Sequence, residues 1–387
     1  MTNKWNTIKG IVYTFRGLAS IGTTDIISTG ISAVFWLYLA NFLGVEHYGQ
    51  ISYFIAAATL TSTIALTGST NMLTVYTAKN IKIESTVYFI TLILGTIASI
   101  ILFFIVSDLG ASVYVIAGII YGLGIATILG KKNFKSYAKY IITQKILMVV
   151  LSIGLYYIIG FNGVLLGIAV SSFLYLIIIF NGFKETKIDF TLIKTRLGFM
   201  INSYILNLSS GFSGSIDKLI IVPILGLGVL GNYALGIQFL AVFQMLPAIV
   251  YKYILPEDAR GKPNKNLKKV TVIISIIVTL MIIFLSPFVI PYLFPKFTEA
   301  VQVIQIISLS LIPDTIITMY QSKYFGTERS KIVLMGSAIF ITLQISTIII
   351  LGEIFGINGV AASLVLSSSG ACIFYLITRK YFEIKNR

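Results

Sequence analysis

The sequence predicts an all-α polytopic membrane protein with about twelve transmembrane helices. Three observations predict this class: the composition, the recurrence of long apolar runs, and the positions of the basic residues. Of the 387 residues, 57% are hydrophobic and 11% are charged, and the mean hydropathy is +0.93. A helix that crosses about 30 Å of hydrocarbon needs about 20 apolar residues, and runs of this length recur along the chain. Soluble globular domains do not have this composition.

Short polar breaks separate the apolar runs and give the predicted boundaries of the helices. The shortest break, residues 160–163, has an asparagine close to two glycines, which is typical of a turn. No break is long enough to form a separate soluble domain. The predicted spans are 20–41, 49–70, 85–107, 111–130, 140–160, 162–182, 199–225, 229–251, 270–294, 300–322, 331–351 and 357–378.

Basic residues are concentrated in alternate breaks. The segment before the first span contains Lys4, Lys9 and Arg16, whereas the next break contains only Glu46 and His47. This alternation continues to the end of the chain, and loops rich in Lys and Arg are typically cytoplasmic. The pattern therefore predicts a protein of the cytoplasmic (plasma) membrane with both termini in the cytoplasm. The first segment lacks a small-residue cleavage site, so we interpret it as an amphipathic lead-in rather than a removed signal peptide.

The formal net charge of +15 has the same explanation. A basic chain is a candidate for nucleic-acid binding, but here the basic residues mark topology, and no nucleic-acid partner is predicted. His47 and Cys372 are the single histidine and the single cysteine. One residue of each type excludes a His/Cys metal site and an intrachain disulfide. The sequence predicts no cofactor and no metal.

Two pairs of similar segments indicate an internal duplication. Residues 160–172 match residues 356–368 at the turn into the last helix of each half, and residues 43–49 resemble residues 225–231 more weakly. Six spans in each half give parallel repeats, which are related by an axis along the membrane normal. The two predicted six-helix lobes are residues 1–190 and 191–387.

The seventh span has the most polar face of the predicted helices. Charged side chains at the centre of a membrane helix are costly, so each one is a candidate functional residue. The neighbouring acid and lysine in this span would either neutralise each other or present both charges to a water-filled cavity. The alternative is a helix packed through small residues, with polar groups joining it to its neighbours. The face contains Ser203, Asn207, Ser210, Gly214 and Asp217, and Lys218 is adjacent.

The tenth span has a second polar face, on which Asp314 follows Pro313 directly. Proline removes an amide donor and frees a carbonyl, and such breaks are tolerated where they line a cavity. A carboxylate beside freed carbonyls would bind Na⁺ or a proton. The alternative is a locally hydrogen-bonded kink. The face contains Ser310, Asp314, Thr318 and Gln321.

Asp25, Lys145 and a polar stripe on the second span each have a functional and a structural interpretation. Asp25 shares a face with Ser28 and Ser32, but it lies near the predicted start of a helix, where the macrodipole stabilises an anion. Lys145 lies one to two turns into the fifth span, from which a lysine can reach the cytoplasmic interface. The second span has an uncharged polar stripe that fits either a cavity wall or tight packing. This stripe contains Thr59, Thr63, Thr67 and Asn71.

Three stretches of the chain resemble a known family. They are residues 42–50, the pattern Asp-Lys-Leu…Leu-Gly…Gly-Asn-Tyr-Ala over residues 217–234, and Leu255–Pro256 at the end of the eighth span. They resemble the polysaccharide-type (Wzx-like) flippases of the multidrug/oligosaccharidyl-lipid/polysaccharide exporter (MOP) superfamily. The chain departs from that family in being somewhat short, with very small outer loops.

The resemblance implies two six-helix lobes around a central cavity that opens alternately to each leaflet. It also implies a cargo in which a glycan is linked to a polyprenyl (di)phosphate. Basic residues would offset the phosphate charge, and acidic residues would couple transport to H⁺ or Na⁺. The expected head-group residues are Lys218, Lys145, Arg16 and Asn207, and the expected coupling-ion residues are Asp217, Asp314 and Asp25.

The sequence thus favours a flippase for a lipid-linked oligosaccharide or polysaccharide precursor, which is a transporter and not an enzyme. It has no nucleophile with its base, P-loop or closely spaced carboxylate pair. Its expected partners are the lipid-linked glycan, membrane lipids and the glycosyltransferases of a biosynthetic pathway. One alternative is a cation-coupled multidrug exporter of the same superfamily. A second alternative, a glycan polymerase or ligase, would need a large outer loop, and every outer loop here is short. A third, a major facilitator transporter, would have an acidic–basic signature that residues 70–84 lack.

Overall fold

The computed structural model describes the backbone of residues 2–261, 263–327 and 329–385, and the side chains of residues 21–261, 263–327 and 329–379. These residues are helical almost throughout. In chain order the helices are α1 (Thr2–Leu43), α2 (Val45–Leu66), α3 (Ser69–Ala78), α4 (Glu84–Val106), α5 (Leu109–Gly130), α6 (Phe134–Ile159), α7 (Phe161–Ser172), a 3₁₀ turn (Phe173–Tyr175), α8 (Leu176–Glu185), α9 (Thr191–Lys194), α10 (Leu197–Ala259), α11 (Lys265–Leu293), α12 (Ala300–Ser308), α13 (Leu311–Gly326) and α14 (Ser330–Lys385).

The predicted class, a polytopic α-helical membrane protein, is confirmed. Within the described residues, ten helical stretches are long and apolar enough to cross a membrane. Two of them, α10 and α14, are each interrupted by a glycine with a non-helical backbone, at Gly226 and Gly356. Each of these long helices covers two predicted spans, so the ten stretches contain the twelve apolar segments that the sequence predicts.

Four glycines in left-handed conformations mark equivalent turns in the two halves of the chain. Gly44 and Gly226 have φ angles of 79° and 86°, and Gly160 and Gly356 have φ angles of 72° and 57°. Glycine adopts positive φ without the steric penalty of a side chain. Each pair occupies matching positions in the segments that the sequence identifies as similar, which supports the internal duplication.

The chain forms two compact units. Unit 1 contains residues 1–35 and 57–208, and unit 2 contains residues 36–56 and 209–387. The division into six-helix lobes at residues 190 and 191 stays a prediction.

Helix α5 is the central helix of unit 1 and packs against α3, α4 and α7. It begins at Leu109 because the Asp108 side chain accepts a hydrogen bond from the Ala111 amide at 2.6 Å, which caps the first turn. Its buried face presents Gly124 to the ring of Tyr175, where an added Cβ would lie 2.6 Å from a ring carbon. Small residues on α5 therefore allow its neighbours to approach closely.

The second predicted span, residues 49–70, crosses the break between two helices. Helix α2 ends at Leu66, and Thr67 and Gly68 have φ angles of 47° and 78°. A Cβ at Gly68 would lie 2.5 Å from the Met200 carbonyl oxygen, so the chain bends where α10 approaches it. The interpretation of Thr59, Thr63, Thr67 and Asn71 as one continuous helical stripe is therefore wrong.

In unit 2, Gly49 lies against the backbone of the segment that contains Gly231, and Gly231 lies against the backbone of the segment that contains Gly49. A Cβ at Gly49 would lie 2.1 Å from the Leu227 carbonyl oxygen, and a Cβ at Gly231 would lie 2.0 Å from the Val45 carbonyl oxygen. The two similar turns thus pack reciprocally, which explains why both carry a glycine at this position. Tyr233, fully buried beside them, belongs to the main core of the unit.

Gly359 offers a test of the close packing in unit 2. A Cβ at this position would lie 1.8 Å from the Leu351 carbonyl oxygen, so Gly359→Ala must push two helical segments apart. Overpacking of this kind costs about 1–3 kcal/mol of stability, and we expect a lower thermal-unfolding midpoint for the detergent-purified protein. Gly228→Ala is the matched control, because nothing lies within 4 Å of a Cβ at that position. Equal midpoints for the two variants would contradict the packing.

Candidate functional site

An ion pair on α10 is the first component of the candidate site. Lys218 Nζ lies 3.2 Å from Asp217 Oδ1 and donates to the Gly214 carbonyl oxygen at 2.9 Å. Tyr233 Oη donates to the other carboxylate oxygen of Asp217 at 3.0 Å. The Asp217 side chain is 5% exposed, whereas that of Lys218 is 18% exposed. The acid is therefore compensated and enclosed, and the ammonium group is the more accessible half of the pair.

A second carboxylate, that of Asp314, lies in the first turn of α13. Helix α12 ends at Ser308 and α13 begins at Leu311, so the predicted kink is a break between two helices. Pro313 is tolerated directly after this break because the amides of a first turn have no intrahelical partner. Gln244 Nε2 donates to Asp314 Oδ2 at 3.0 Å, and the helix dipole further stabilises the carboxylate.

These two polar faces line one cavity of about 670 Å³ within unit 2. Helices α10, α13 and α14 form its walls, which combine apolar side chains with many polar ones. Such a mixture is typical of ligand pockets. The polar lining residues are Ser210, Ser213, Asp217, Lys218, Gln244, Tyr251, Lys252, Asp314, Thr315, Thr318, Gln321, Ser337, Gln344 and Tyr375.

Two basic and two acidic side chains line this cavity. They are the ammonium groups of Lys218 and Lys252 and the carboxylates of Asp217 and Asp314. Among the described residues, no Lys or Arg forms an ion pair with Asp314. Neutralising Asp314 with a proton or a cation would therefore remove one negative charge from the cavity and reduce its repulsion of an anion.

Eight of the polar lining residues were not identified from the sequence: Ser213, Gln244, Tyr251, Lys252, Thr315, Ser337, Gln344 and Tyr375. Lys252 lies in a basic break and was interpreted only as a topological signal, and Tyr375 as one of many aromatic residues. Gln244 and Gln344 are isolated amides in apolar runs, and this isolation is the sequence signal that could have identified them as lining residues. Tyr375 and Gln344 are almost fully buried, so their place in the cavity depends on helix packing.

Asn207, an expected head-group residue, lies in unit 1 and not among the residues lining the cavity of unit 2. Its side-chain amide donates to Thr70 Oγ1 at 3.2 Å and accepts from Asn71 Nδ2 at 3.4 Å. These contacts join the start of α10 to α3. Any role of Asn207 in head-group binding stays a prediction.

Asp25 also lies in unit 1, where Tyr137 Oη donates to its carboxylate at 2.8 Å. Helix α1 begins at Thr2, so Asp25 is not near a helix start, and the capping interpretation is wrong. Lys145 is half-buried on α6, about three turns after the helix begins at Phe134. Arg16 lies outside the residues whose side chains are described.

Comparison with known proteins identifies the fold. The sequence profile of the lipid II flippase MurJ family matches residues 258–387. A structure titled "Lipid II flippase MurJ, inward closed conformation" superposes with a TM-score of 0.79 at 15% identity, covering 92% of this chain and 87% of that chain. The chain has the fold of the MOP superfamily transporters.

Two further structures support this assignment of the fold. An inward-facing multidrug resistance MATE family transporter of the MOP superfamily gives a TM-score of 0.67 at 14% identity, covering 95% of this chain and 98% of its own. A MOP superfamily transporter from Pyrococcus furiosus gives 0.65 at 13% identity, covering 96% of both chains. No curated protein matches the sequence significantly.

The three matched structures are those of a flippase and two transporters. Their fold is that of the superfamily that the short motifs of this chain resemble. The matching flippase family is different, because the profile that matches is that of MurJ and not a polysaccharide-type, Wzx-like one.

Proposed function

We propose that this protein is a flippase that moves a polyprenyl-phosphate-linked saccharide precursor across the cytoplasmic membrane by alternating access. The observation that carries the proposal is the partly accessible Lys218 ammonium group in the cavity of unit 2. A phosphate in hydrocarbon has a very large desolvation cost unless its charge is compensated. A cation in a polar cavity supplies that compensation while the lipid tail stays in the bilayer.

The cargo that we favour is a peptidoglycan precursor. The match of residues 258–387 to the lipid II flippase MurJ family supports it. The competing cargo is an oligosaccharide or polysaccharide precursor, which the motifs of residues 42–50 and 217–234 favour. Both cargoes present phosphate beside sugar, so the same lysine would serve either. The glycosyltransferases that build such a precursor would supply the substrate, and both termini would lie in the cytoplasm.

Asp314 is our candidate for coupling transport to H⁺ or Na⁺. Asp217 already has Lys218 and Tyr233 as partners, whereas Asp314 accepts its hydrogen bond from a neutral amide. Neutralisation of Asp314 would remove a negative charge from the cavity that contains Lys218 and so raise its affinity for phosphate. Release of the cation on the other side would restore the negative charge and weaken binding.

Reconstituted vesicles test the proposal. A fluorescent lipid-linked precursor is placed in both leaflets, and its accessibility to an external quencher is followed over time. We expect the protein to accelerate exchange of a peptidoglycan-type precursor, an oligosaccharide-type precursor or both. Acceleration of neither cargo, under any imposed H⁺ or Na⁺ gradient, would refute the proposal.

The coupling role predicts the behaviour of Asp314→Asn. Binding of the precursor to the wild-type protein should change with Na⁺ or pH, by about 5- to 150-fold for a typical coupling free energy. In the variant, in which residue 314 is always neutral, this dependence should disappear. Titration of the purified protein with precursor at several cation concentrations measures it. A variant that keeps the full dependence would exclude Asp314 as the coupling residue.

The second candidate function is a cation-coupled multidrug exporter. It is favoured by the superposition on MATE transporters and by the two carboxylates in the cavity, which could receive an organic cation. Export of ethidium from the same vesicles separates the two functions. Gradient-driven ethidium export without exchange of any lipid-linked precursor would favour the exporter.

A further inference from the structure

A groove runs along the surface of unit 1 between α4 and α8. Two hollows of about 330 and 480 Å³ form it, and they share Leu92 and Phe183 as lining residues. The groove extends from Phe89 to Ile97 along α4, which is about 12 Å. Its lining residues are Phe89, Leu92, Ile93, Thr96, Ile97, Leu176, Ile177, Ile179, Phe180 and Phe183.

Hydrogen bonds clamp the two helices together at one end of this groove. Ser85 Oγ and Thr186 Oγ1 are 2.6 Å apart, and the Ser85 amide donates to Thr186 Oγ1 at 3.0 Å. The Asp189 amide donates to Thr86 Oγ1 at 2.8 Å. These bonds fix the spacing of α4 and α8, so the groove has one firmly closed end.

Close packing forms the floor of the groove. A Cβ at Gly182 would lie 2.5 Å from a ring carbon of Tyr88, so glycine allows α8 to lie directly against that ring. Tyr88 is held in place because its hydroxyl lies 2.6 Å from Thr127 Oγ1 on α5. Phe183 packs edge-on against Tyr88, with ring centroids 5.5 Å apart. The groove is therefore a preformed feature.

A lysine side chain lies over one of the aromatic rings that line the groove. Lys184 Nζ is 4.3 Å from the centroid of the Phe180 ring, which lines the groove. Side chains on a helix point back towards its N-terminus, so Lys184 extends over the groove and not away from it. Among the described residues, no carboxylate forms an ion pair with Lys184. Of the nearby acids, Glu185 pairs with Lys131 and Asp189 accepts from Thr191.

We propose that the α4–α8 groove binds an anionic phospholipid, with an acyl chain along the apolar lining and the phosphate at Lys184. The argument is charge complementarity: an ammonium group without a carboxylate partner lies over the ring of Phe180, which lines a preformed apolar groove. Lys184 and the exposed Lys187 also belong to a basic break, which is typical of the cytoplasmic side, where anionic head groups are recognised. A zwitterionic phospholipid would fill the groove but carry no net charge for the lysine to compensate.

Native mass spectrometry of the full-length protein tests the proposal. Phosphatidylglycerol and phosphatidylcholine with identical acyl chains are titrated separately, and the apparent affinity for the first bound lipid is compared. We expect tighter binding of phosphatidylglycerol. Lys184→Ala should reduce that preference about fivefold, the effect typical of one lysine near the surface, and Lys184→Arg should retain it.

Two further variants make the outcome specific to the groove. Lys135→Ala removes another exposed lysine that does not line the groove, and it should leave the preference unchanged. Ile93→Trp fills the groove from a lipid-facing position and should weaken binding of both phospholipids. An equal loss from Lys184→Ala and Lys135→Ala, or unchanged binding in Ile93→Trp, would overturn the proposal. So would dimers formed without phosphatidylglycerol and abolished by Ile93→Trp, because a second copy would then occupy the groove.

Discussion

Replacing Lys218 by glutamine is expected to reduce transport of an anionic lipid-linked precursor by about 10- to 150-fold. A hydrogen bond to a charged group contributes about 1.5–3 kcal/mol, which corresponds to this range. Lys218 Nζ is the accessible cation of an otherwise enclosed pair, so its loss removes the direct partner of the phosphate. The rate of precursor exchange in reconstituted vesicles measures the effect.

The loss of Lys218 alone also leaves Asp217 buried without its counter-ion, which can unfold the protein. The double variant Asp217→Asn, Lys218→Gln is the control, because it keeps the shape of the pair and removes both charges. We expect the double variant to fold but to transport as poorly as Lys218→Gln. If it transports at the wild-type rate, Lys218 is only a counter-ion for Asp217, and the head-group role is refuted.

The second large effect is expected from Lys268→Met. Lys268 Nζ pairs with Asp258 Oδ2 at 2.6 Å, and Ser322 Oγ donates to the same oxygen at 2.6 Å. The Asp258 side chain is only 2% exposed, so removal of the lysine leaves an uncompensated buried charge. Breaking such a pair costs about 3–5 kcal/mol. We expect a strongly lowered unfolding midpoint in unit 2, because α10, α11 and α13 all contribute to this cluster.

Lys269→Met is the matched control for that prediction. Lys269 is the next residue of the same helix and is exposed to solvent, so its replacement should change stability by less than about 0.5 kcal/mol. The double variant Asp258→Asn, Lys268→Met should recover part of the loss, because it no longer buries a charge. Similar midpoints for Lys268→Met and Lys269→Met would show that the pair does not stabilise the fold.

The approximate length and position of the membrane spans could be predicted because the bilayer imposes a minimum length on each of them. Each span must satisfy its backbone hydrogen bonds internally and match about 30 Å of hydrocarbon. The break at Thr67–Gly68 was not predicted, because residues 67–71 (Thr-Gly-Ser-Thr-Asn) were interpreted as part of one polar helical stripe at the end of the second span. Gly68 adopts its left-handed conformation where the Met200 carbonyl oxygen approaches, and that contact depends on a distant part of the chain.

The sequence could predict which residues of the candidate site share a face of one helix, but not which helices meet at the site. The 3.6-residue period correctly grouped Asp217 with Gly214 and Asp314 with Thr318, and both groups line the cavity. The same period grouped Asn207 with Asp217, but ten residues of helix separate them by about 15 Å, and Asn207 contacts α3 instead. Lining residues contributed by other helices require tertiary packing, which periodicity does not contain.

Equilibrium binding of a short-chain polyprenyl diphosphate to the purified protein tests the head-group role of the unit 2 cavity most directly. The same chain ending in an uncharged alcohol serves as the reference ligand. The wild-type protein should bind the diphosphate at least about tenfold more tightly, and Asp217→Asn, Lys218→Gln should bind both ligands alike. Equal affinities in the wild-type protein, or a preference that survives in the double variant, would contradict an anion-binding cavity at Lys218.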